Sequence, residues 1–118
     1  MTTQKKRVLF LGAIIILSFG VFWVIGASAD DLQQGMILYQ SNCLACHGEK
    51  GDGNGPQAVN FNPPPTDFTS SQMASVPDSQ IEKAIVEGVA GVPMHSWGGI
   101  LQKEDVRTLI SAVRSFKK

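Results

Sequence analysis

Apolar residues recur with a helical period in three stretches of this chain. Leu32, Met36 and Tyr39 stand at i, i+4 and i+7 with Gly35 on the same stripe, which predicts a helix over residues 31–42. Pro77 and Asp78 signal the start of a second helix, with Ile81, Ala84, Ile85 and Gly88 on its inner face. Val106, Leu109, Ile110 and Val113 fall at i, i+3, i+4 and i+7 and predict a last helix over residues 103–116. Glu104 and Asp105 suit its positive N-terminus, and Arg114 and Lys117 its negative end. Between these stripes the pattern breaks down. Gly48, Gly51, Gly53 and Gly55, then Pro56, Pro63, Pro64 and Pro65, predict a loop over residues 48–69 without regular structure. Residues 89–99 read as a second Gly/Pro loop. A loop as long as the first usually serves function when it sits in a compact domain. No stretch carries a convincing strand pattern and no internal repeat is present, so the expected class is all-α.

Ahead of these elements the character changes. Lys5, Lys6 and Arg7 form a basic cluster, and residues 8–27 are apolar apart from Gly12, Ser18, Gly20 and Gly26. Ala27-Ser28-Ala29 then precedes Asp30. A basic head, an apolar centre and small residues at −3 and −1 are the parts of a secretory signal over residues 1–29. The apolar run exceeds the usual length of about 7–15 residues. About 20 apolar residues in a helix cover roughly 30 Å, enough to span a bilayer. Two readings therefore stay open: cleavage near Ala29, or an uncleaved membrane anchor through residues 8–27. A buried core helix is excluded, because the rest of the chain is too small to surround it. In both readings the basic cluster stays in the cytoplasm, and residues 30–118 form one domain in the periplasm or another extracytoplasmic space.

That domain is acidic although the whole chain is neutral. Outside the head, seven Lys/Arg face ten Asp/Glu, a net charge of −3 with His neutral. Nucleic acid, which calls for a basic surface, is not an expected partner. Three short helices and two long loops bury little by themselves, and domains of this size commonly lean on a staple or a cofactor. A disulfide between the two cysteines, Cys43 and Cys46, would close too small a loop to stabilise much.

The candidate chemistry lies at the end of the first helix. Cys43-Leu44-Ala45-Cys46-His47 fits C-x-x-C-H, the attachment signature of c-type haem. Two thiols three apart at a helix end reach two vinyl groups on one porphyrin edge, and the adjacent histidine then ligates the iron. The alternatives are weaker. A zinc site from Cys43, Cys46, His47 and His95 would place two adjacent residues in one tetrahedron and lacks the usual second ligand pair. A thioredoxin-type redox pair needs a βαβ setting that is absent. The segment Gly51–Pro56 lacks the Gly-Lys-Ser/Thr ending of a phosphate loop, and no strand precedes it for a dinucleotide fingerprint. Asp52 and Asn54 imitate the start of a calcium loop, but Pro63 stands where a Glu is required.

One histidine leaves the sixth iron position to fill. Met36 lies on the first helical stripe and reads as core, and Met73 reads as a packing residue. Met94 follows Pro93 in the second loop, just before the last helix, and is the expected sixth ligand. His95 is the alternative, and only one of two consecutive residues in an extended segment can point at the iron. Without that bond His95 reads as an exposed loop residue or a polar contact at the haem edge. Methionine/histidine ligation raises the reduction potential.

With these residues in place the chain resembles the small monohaem class I c-type cytochromes. More narrowly, it is similar to haem c domains related to the third subunit of high-affinity haem–copper oxidases. The resemblance covers residues 32–116 and rests on "GMILYQSNCLACHGEKGDGNGPQAVNFNPPPTDFT" and "IEKAIVEGVAGVPMHSWGGILQKEDVRTLISAVRSF". It implies an all-α cytochrome c fold of three to four helices around one covalent haem, with the terminal helices crossing near Gly35 and Tyr39. It also implies that the Pro56 carbonyl accepts the outer N–H of His47, and that Pro63, Pro64, Pro65 and Trp97 wall the haem. Three departures stand out. His95 follows Met94 where the family has proline. Ala112 replaces an aromatic, which implies a looser helix crossing filled by Tyr39 or Phe116. Gln102 replaces a Ser or Thr cap and is a weaker one.

The expected function is that of an exported monohaem cytochrome that passes single electrons between redox partners through small, transient contacts. Two alternatives follow from the same residues. One is a haem c electron-entry subunit of a membrane oxidoreductase complex. The other, if Met94 is not a ligand, is a sensor or peroxidase with an open iron position.

Overall fold

The computed structural model describes residues 27–117. The chain divides into residues 1–30 and 31–118, and the fold below is that of the second part. The expected signal or anchor, including the run 8–27, lies outside the described residues save for its last three positions. Among the described residues there are helices and no strands, and no helix is long and apolar enough to cross a membrane.

The first helix, α1 (Ala27–Asn42), begins four residues before its predicted start at residue 31. Ala27, Ser28 and Ala29 tolerate helix, and Asp30 places a negative charge in the first turn. Cys43 interrupts the helix for one residue, and α2 (Leu44–His47) resumes it. The backbone bonding runs on regardless, with Cys43 N–H donating to Tyr39 O at 2.8 Å and His47 N–H to Cys43 O at 2.9 Å. Gly48, at φ 84°, ends α2 in a conformation that a side chain would resist.

The loop that follows is less irregular than its composition predicts. It contains a 3₁₀ turn at Ala58–Asn60, and a second turn, Ser71–Ala74, lies beyond it. α3 (Asp78–Glu87) buries Ile81 and Ile85, with Ala84 half-buried. α4 (Lys103–Ser115) buries Val106, Leu109 and Val113 as its stripe predicts, adds Thr108 and Ala112, and leaves Ile110 half-buried. Its cap is better than Gln102 suggests, because the Asp105 carboxylate accepts the Gln102 backbone N–H at 3.0 Å.

The helices α1 and α4 cross at Gly35. A Cβ placed there would lie 2.0 Å from Thr108 O and 3.3 Å from the Ala112 Cβ. The looser crossing expected from Ala112 is therefore not found. Two small residues face each other, and the backbones approach until a methyl group no longer fits. Ala112 is 0% exposed and Tyr39 1%. The aromatic bulk is supplied instead by Tyr39 and Phe116, whose ring centroids are 4.9 Å apart. Beside the crossing, Arg107 on α4 holds Asp31 on α1 through two bonds of 2.6 and 2.9 Å. Leu32, expected on the buried stripe, is exposed, because the crossing lies nearer Gly35 and Tyr39.

The core is one cluster of Tyr39, Met73, Ile81, Ile85, Val106, Leu109, Ala112 and Val113. Met73 packs there as expected, and Met36 borders it half-buried. Cys43 and Leu44 border it from the attachment motif, and Trp97 and Leu101 from the stretch between α3 and α4. Residues of both halves of the predicted site thus meet one apolar core.

Candidate functional site

The site starts from the way α1 runs into α2. Helical bonding through Cys43 keeps Cys43 and Cys46 one turn apart, so both thiols belong to the same helix end. Both are free and half-buried. Burial pushes the Cys43 thiol up to about 11, with the nearby Cys46 adding to the effect. It is therefore a neutral thiol that borders the core. Among the described residues no group of three or more His, Cys, Asp and Glu comes together, so His95 does not complete a zinc set with Cys43, Cys46 and His47.

His47 closes α2. Burial lowers its pKa and the Thr66 carbonyl opposes that shift, so the imidazole is favoured in its neutral form. Its Nδ1 lies 3.2 Å from Thr66 O. Nδ1–H donates there, which leaves the Nε2 lone pair for a metal. The ring also stacks on Phe68, with centroids 4.5 Å apart and planes 15° from parallel.

The carbonyl beside His47 is thus that of Thr66, not the expected Pro56. The reason lies in the loop. Gly55 N–H donates to Cys46 O at 3.1 Å and Gln57 N–H to Ala45 O at 2.8 Å. These bonds hold Pro56 in an exposed turn against the α2 backbone. A Cβ on Gly55 would lie 2.4 Å from Ala45 O, so this close approach requires glycine. Ten residues later the chain returns, and Phe68 N–H donates to Gly51 O at 2.7 Å. That bond brings Thr66 and Phe68 to His47. Tyr39 secures the same loop from below, its hydroxyl donating to Gly48 O at 2.7 Å in a buried bond. Thr66, Phe68 and the Tyr39 hydroxyl were not legible as site residues. Thr66 acts through a backbone atom that has no sequence signature, and an aromatic at the end of a proline run was the only hint of Phe68.

The second half of the site is the loop after α3. Val89 N–H donates to Met94 O at 2.9 Å, Trp97 N–H to Ile85 O at 2.9 Å, and the Ser96 hydroxyl to Val86 O at 2.6 Å. These bonds fix the segment on both sides of Met94. Met94 is half-buried and His95 exposed. The His95 ring rests against Trp97, with centroids 4.3 Å apart. Trp97 is half-buried against the core. Pro63 and Pro64 are exposed, and Pro65 is half-buried with its carbonyl close against Gly53.

A covalent haem fits this donor set. Two reduced thiols stand one turn apart beside an apolar core, and a neutral imidazole with one nitrogen already engaged follows directly. Cys43 and Cys46 would hold the porphyrin through thioethers, each formed by adding S–H across a vinyl group, and His47 would hold the iron.

Comparison with known proteins agrees. The family described as "Cytochrome C oxidase, cbb3-type, subunit III" matches residues 30–111. The KustC0563 c-type cytochrome is similar in structure, at a TM-score of 0.60 and 33% identity over 71% of this chain and 98% of its own. A chain of the Kuenenia stuttgartiensis reducing HAO-like protein complex Kustc0457/Kustc0458 is also similar, at a TM-score of 0.63 and 27% identity. That match covers 71% of this chain and only 41% of the other. Among curated proteins none matches.

Proposed function

The chain belongs to the family of cbb3-type cytochrome c oxidase subunit III, as a monohaem c-type cytochrome with covalent haem c, and from that premise we propose that it is an exported single-electron carrier ligated by His47 and Met94. The observation that carries the reading is the helix end itself. Cys43, Cys46 and His47 share one turn, and Thr66 O occupies the outer nitrogen of His47. When bound, haem c supplies a one-electron Fe(III)/Fe(II) couple.

The chain's own residues do the rest. Thr66 O holds the imidazole in one tautomer and strengthens it as a donor. The anchored loop keeps half-buried Met94 available as sixth ligand, a soft thioether that favours the reduced state. In this reading His95, exposed and resting against Trp97, stays at the loop surface while Met94 takes the iron. Tyr39 and Gly55 hold the loop behind His47, so little has to move when the charge changes. With Met94 in the sixth position the iron would have no open place for a substrate, which supports a carrier that meets redox proteins transiently over an enzyme. The basic head and Ala-x-Ala sequence support export, with the leader cleaved near Ala29 or kept as an anchor.

The similarity to a chain of a redox complex favours a second reading, an electron-entry subunit of a larger oxidoreductase. Purification from native membranes separates the two. A free protein supports the carrier, and co-purification with a larger enzyme supports the subunit. Absorption spectra test the ligands. The native ferric protein is expected to show the long-wavelength band of methionine–iron ligation, and Met94→Ala to lose it and bind carbon monoxide. If His95→Ala changes the spectrum and Met94→Ala does not, the ligand assignment is wrong. Intact mass reports the number of haems and the state of the N-terminus together.

A further inference from the structure

We infer that Phe68 is a positioning residue that sets the plane of the His47 imidazole, so that Thr66-Asp67-Phe68 acts as a clip for the iron ligand. The inference rests on the reading of His47 as that ligand.

An imidazole bound to a metal through one nitrogen can still rotate about the metal–nitrogen axis. A single hydrogen bond at Nδ1 restrains the ring at one edge only. Phe68 adds a second constraint of a different kind, a nearly parallel face at 4.5 Å and 15°. Turning the imidazole would drive its edge into that face. Both constraints come from one tripeptide, so they cannot drift apart.

The tripeptide is itself held. Phe68 N–H donates to Gly51 O at 2.7 Å. The Asp67 carboxylate accepts Thr69 N–H at 2.8 Å and the Thr69 hydroxyl at 2.7 Å. The Ser70 hydroxyl donates to Asp67 O at 2.9 Å. On its other sides Phe68 meets Tyr39 edge-on at 6.4 Å and 65°, and Phe116 at 6.5 Å and 24°. Phe116 in turn lies where a Cβ on Gly51 would meet its ring at 2.6 Å. Phe68 is thus flanked by rings on the sides away from His47. The hydrophobic shell around a site also limits solvent access. By covering one imidazole face, Phe68 keeps water from the ligand, and the drier setting disfavours the extra positive charge of the ferric state.

Two observables follow the imidazole plane and not the melting temperature: the g-values of the low-spin ferric EPR signal, and the order of the haem-methyl shifts in the ferric NMR spectrum. The test uses full-length holoprotein carrying Phe68→Leu, Phe68→Ala or Phe68→Tyr. Leucine keeps apolar bulk but offers no flat face, so it serves if alanine fails to assemble. The expected result is shifted g-values, a reordered methyl pattern and a lowered midpoint potential for Leu and Ala, with Tyr restoring the parent signals. If Leu and Ala lower only the melting temperature and leave g-values and potential as in the parent, Phe68 is packing and the inference falls. His47→Gly separates that outcome from failure of the ligand reading. Loss of the parent spectrum, regained with added imidazole, confirms His47 as ligand, whereas an unchanged spectrum overturns both.

Discussion

Gly35→Ala tests whether a backbone contact holds this fold together. The change adds one methyl group to the inside of α1, where helix propensity alone favours alanine by about 1 kcal/mol. The structure predicts the opposite outcome. The new Cβ would stand 2.0 Å from Thr108 O and 2.6 Å from its carbonyl carbon, whereas ordinary contact begins at 3.4 Å. Neither atom belongs to a side chain that can turn away, so α1 and α4 must separate. Separation loosens Tyr39 and Ala112, the two most buried residues of the crossing. Overpacking of this kind costs about 3 kcal/mol at the upper end of its usual range. The clash outweighs the propensity gain and leaves a net loss of about 2 kcal/mol. For a domain this size that lowers the melting temperature by roughly 8–16 °C. The assay is thermal unfolding of the holoprotein, followed by far-ultraviolet circular dichroism and by haem absorption. Gly99→Ala is the control, because nothing lies within 4 Å of a Cβ there and its φ is ordinary. That variant should stay within about 0.5 kcal/mol of the parent. If Gly35→Ala melts with Gly99→Ala, or above it, the account of the crossing is wrong.

Ala112→Phe puts an aromatic at a fully buried position facing Gly35 and should destabilise by about 3 kcal/mol; denaturant unfolding checks this. Tyr39→Phe removes the 2.7 Å bond to Gly48 O and should cost about 1–2 kcal/mol in the same assay. Burial, with Asp52 nearby, raises the Tyr39 pKa well above its ordinary value. A raised pKa means that the stability Tyr39 contributes is fully present below about pH 10 and is lost as pH rises further. Stability curves of the parent and Tyr39→Phe should therefore converge on the alkaline side, and parallel curves would contradict the burial argument. Arg114 donates to Asp78 at 2.8 and 2.6 Å, to Met73 O at 2.8 Å and also to Val76 O, so Arg114→Ala should cost about 1–2 kcal/mol. Asp78→Ala removes only the ion-pair part and should cost under about 1 kcal/mol, less still at high salt.

The helical stripes were readable because burial follows a fixed period, and α3 and α4 stand within a residue of where that period puts them. The attachment motif was readable for a related reason. Cys43, Cys46 and His47 work through side chains at a spacing that one helical turn imposes, so the spacing itself carries the chemistry. Composition marked the two long loops but not the paths they take.

What the sequence determined by itself was local: helix periods, the tether spacing, and the glycines that allow tight turns. The tertiary structure decided everything that depends on a chain returning to itself. Whether Pro56 or Thr66 meets His47 depends on where the loop turns back, and the bond from Phe68 N–H to Gly51 O settles it. Whether Ala112 loosens the crossing depends on what faces it, and Gly35 on α1 turns a lost aromatic into a closer contact. Backbone carbonyls and facing surfaces have no letter of their own in a sequence, and only folding assigns them partners.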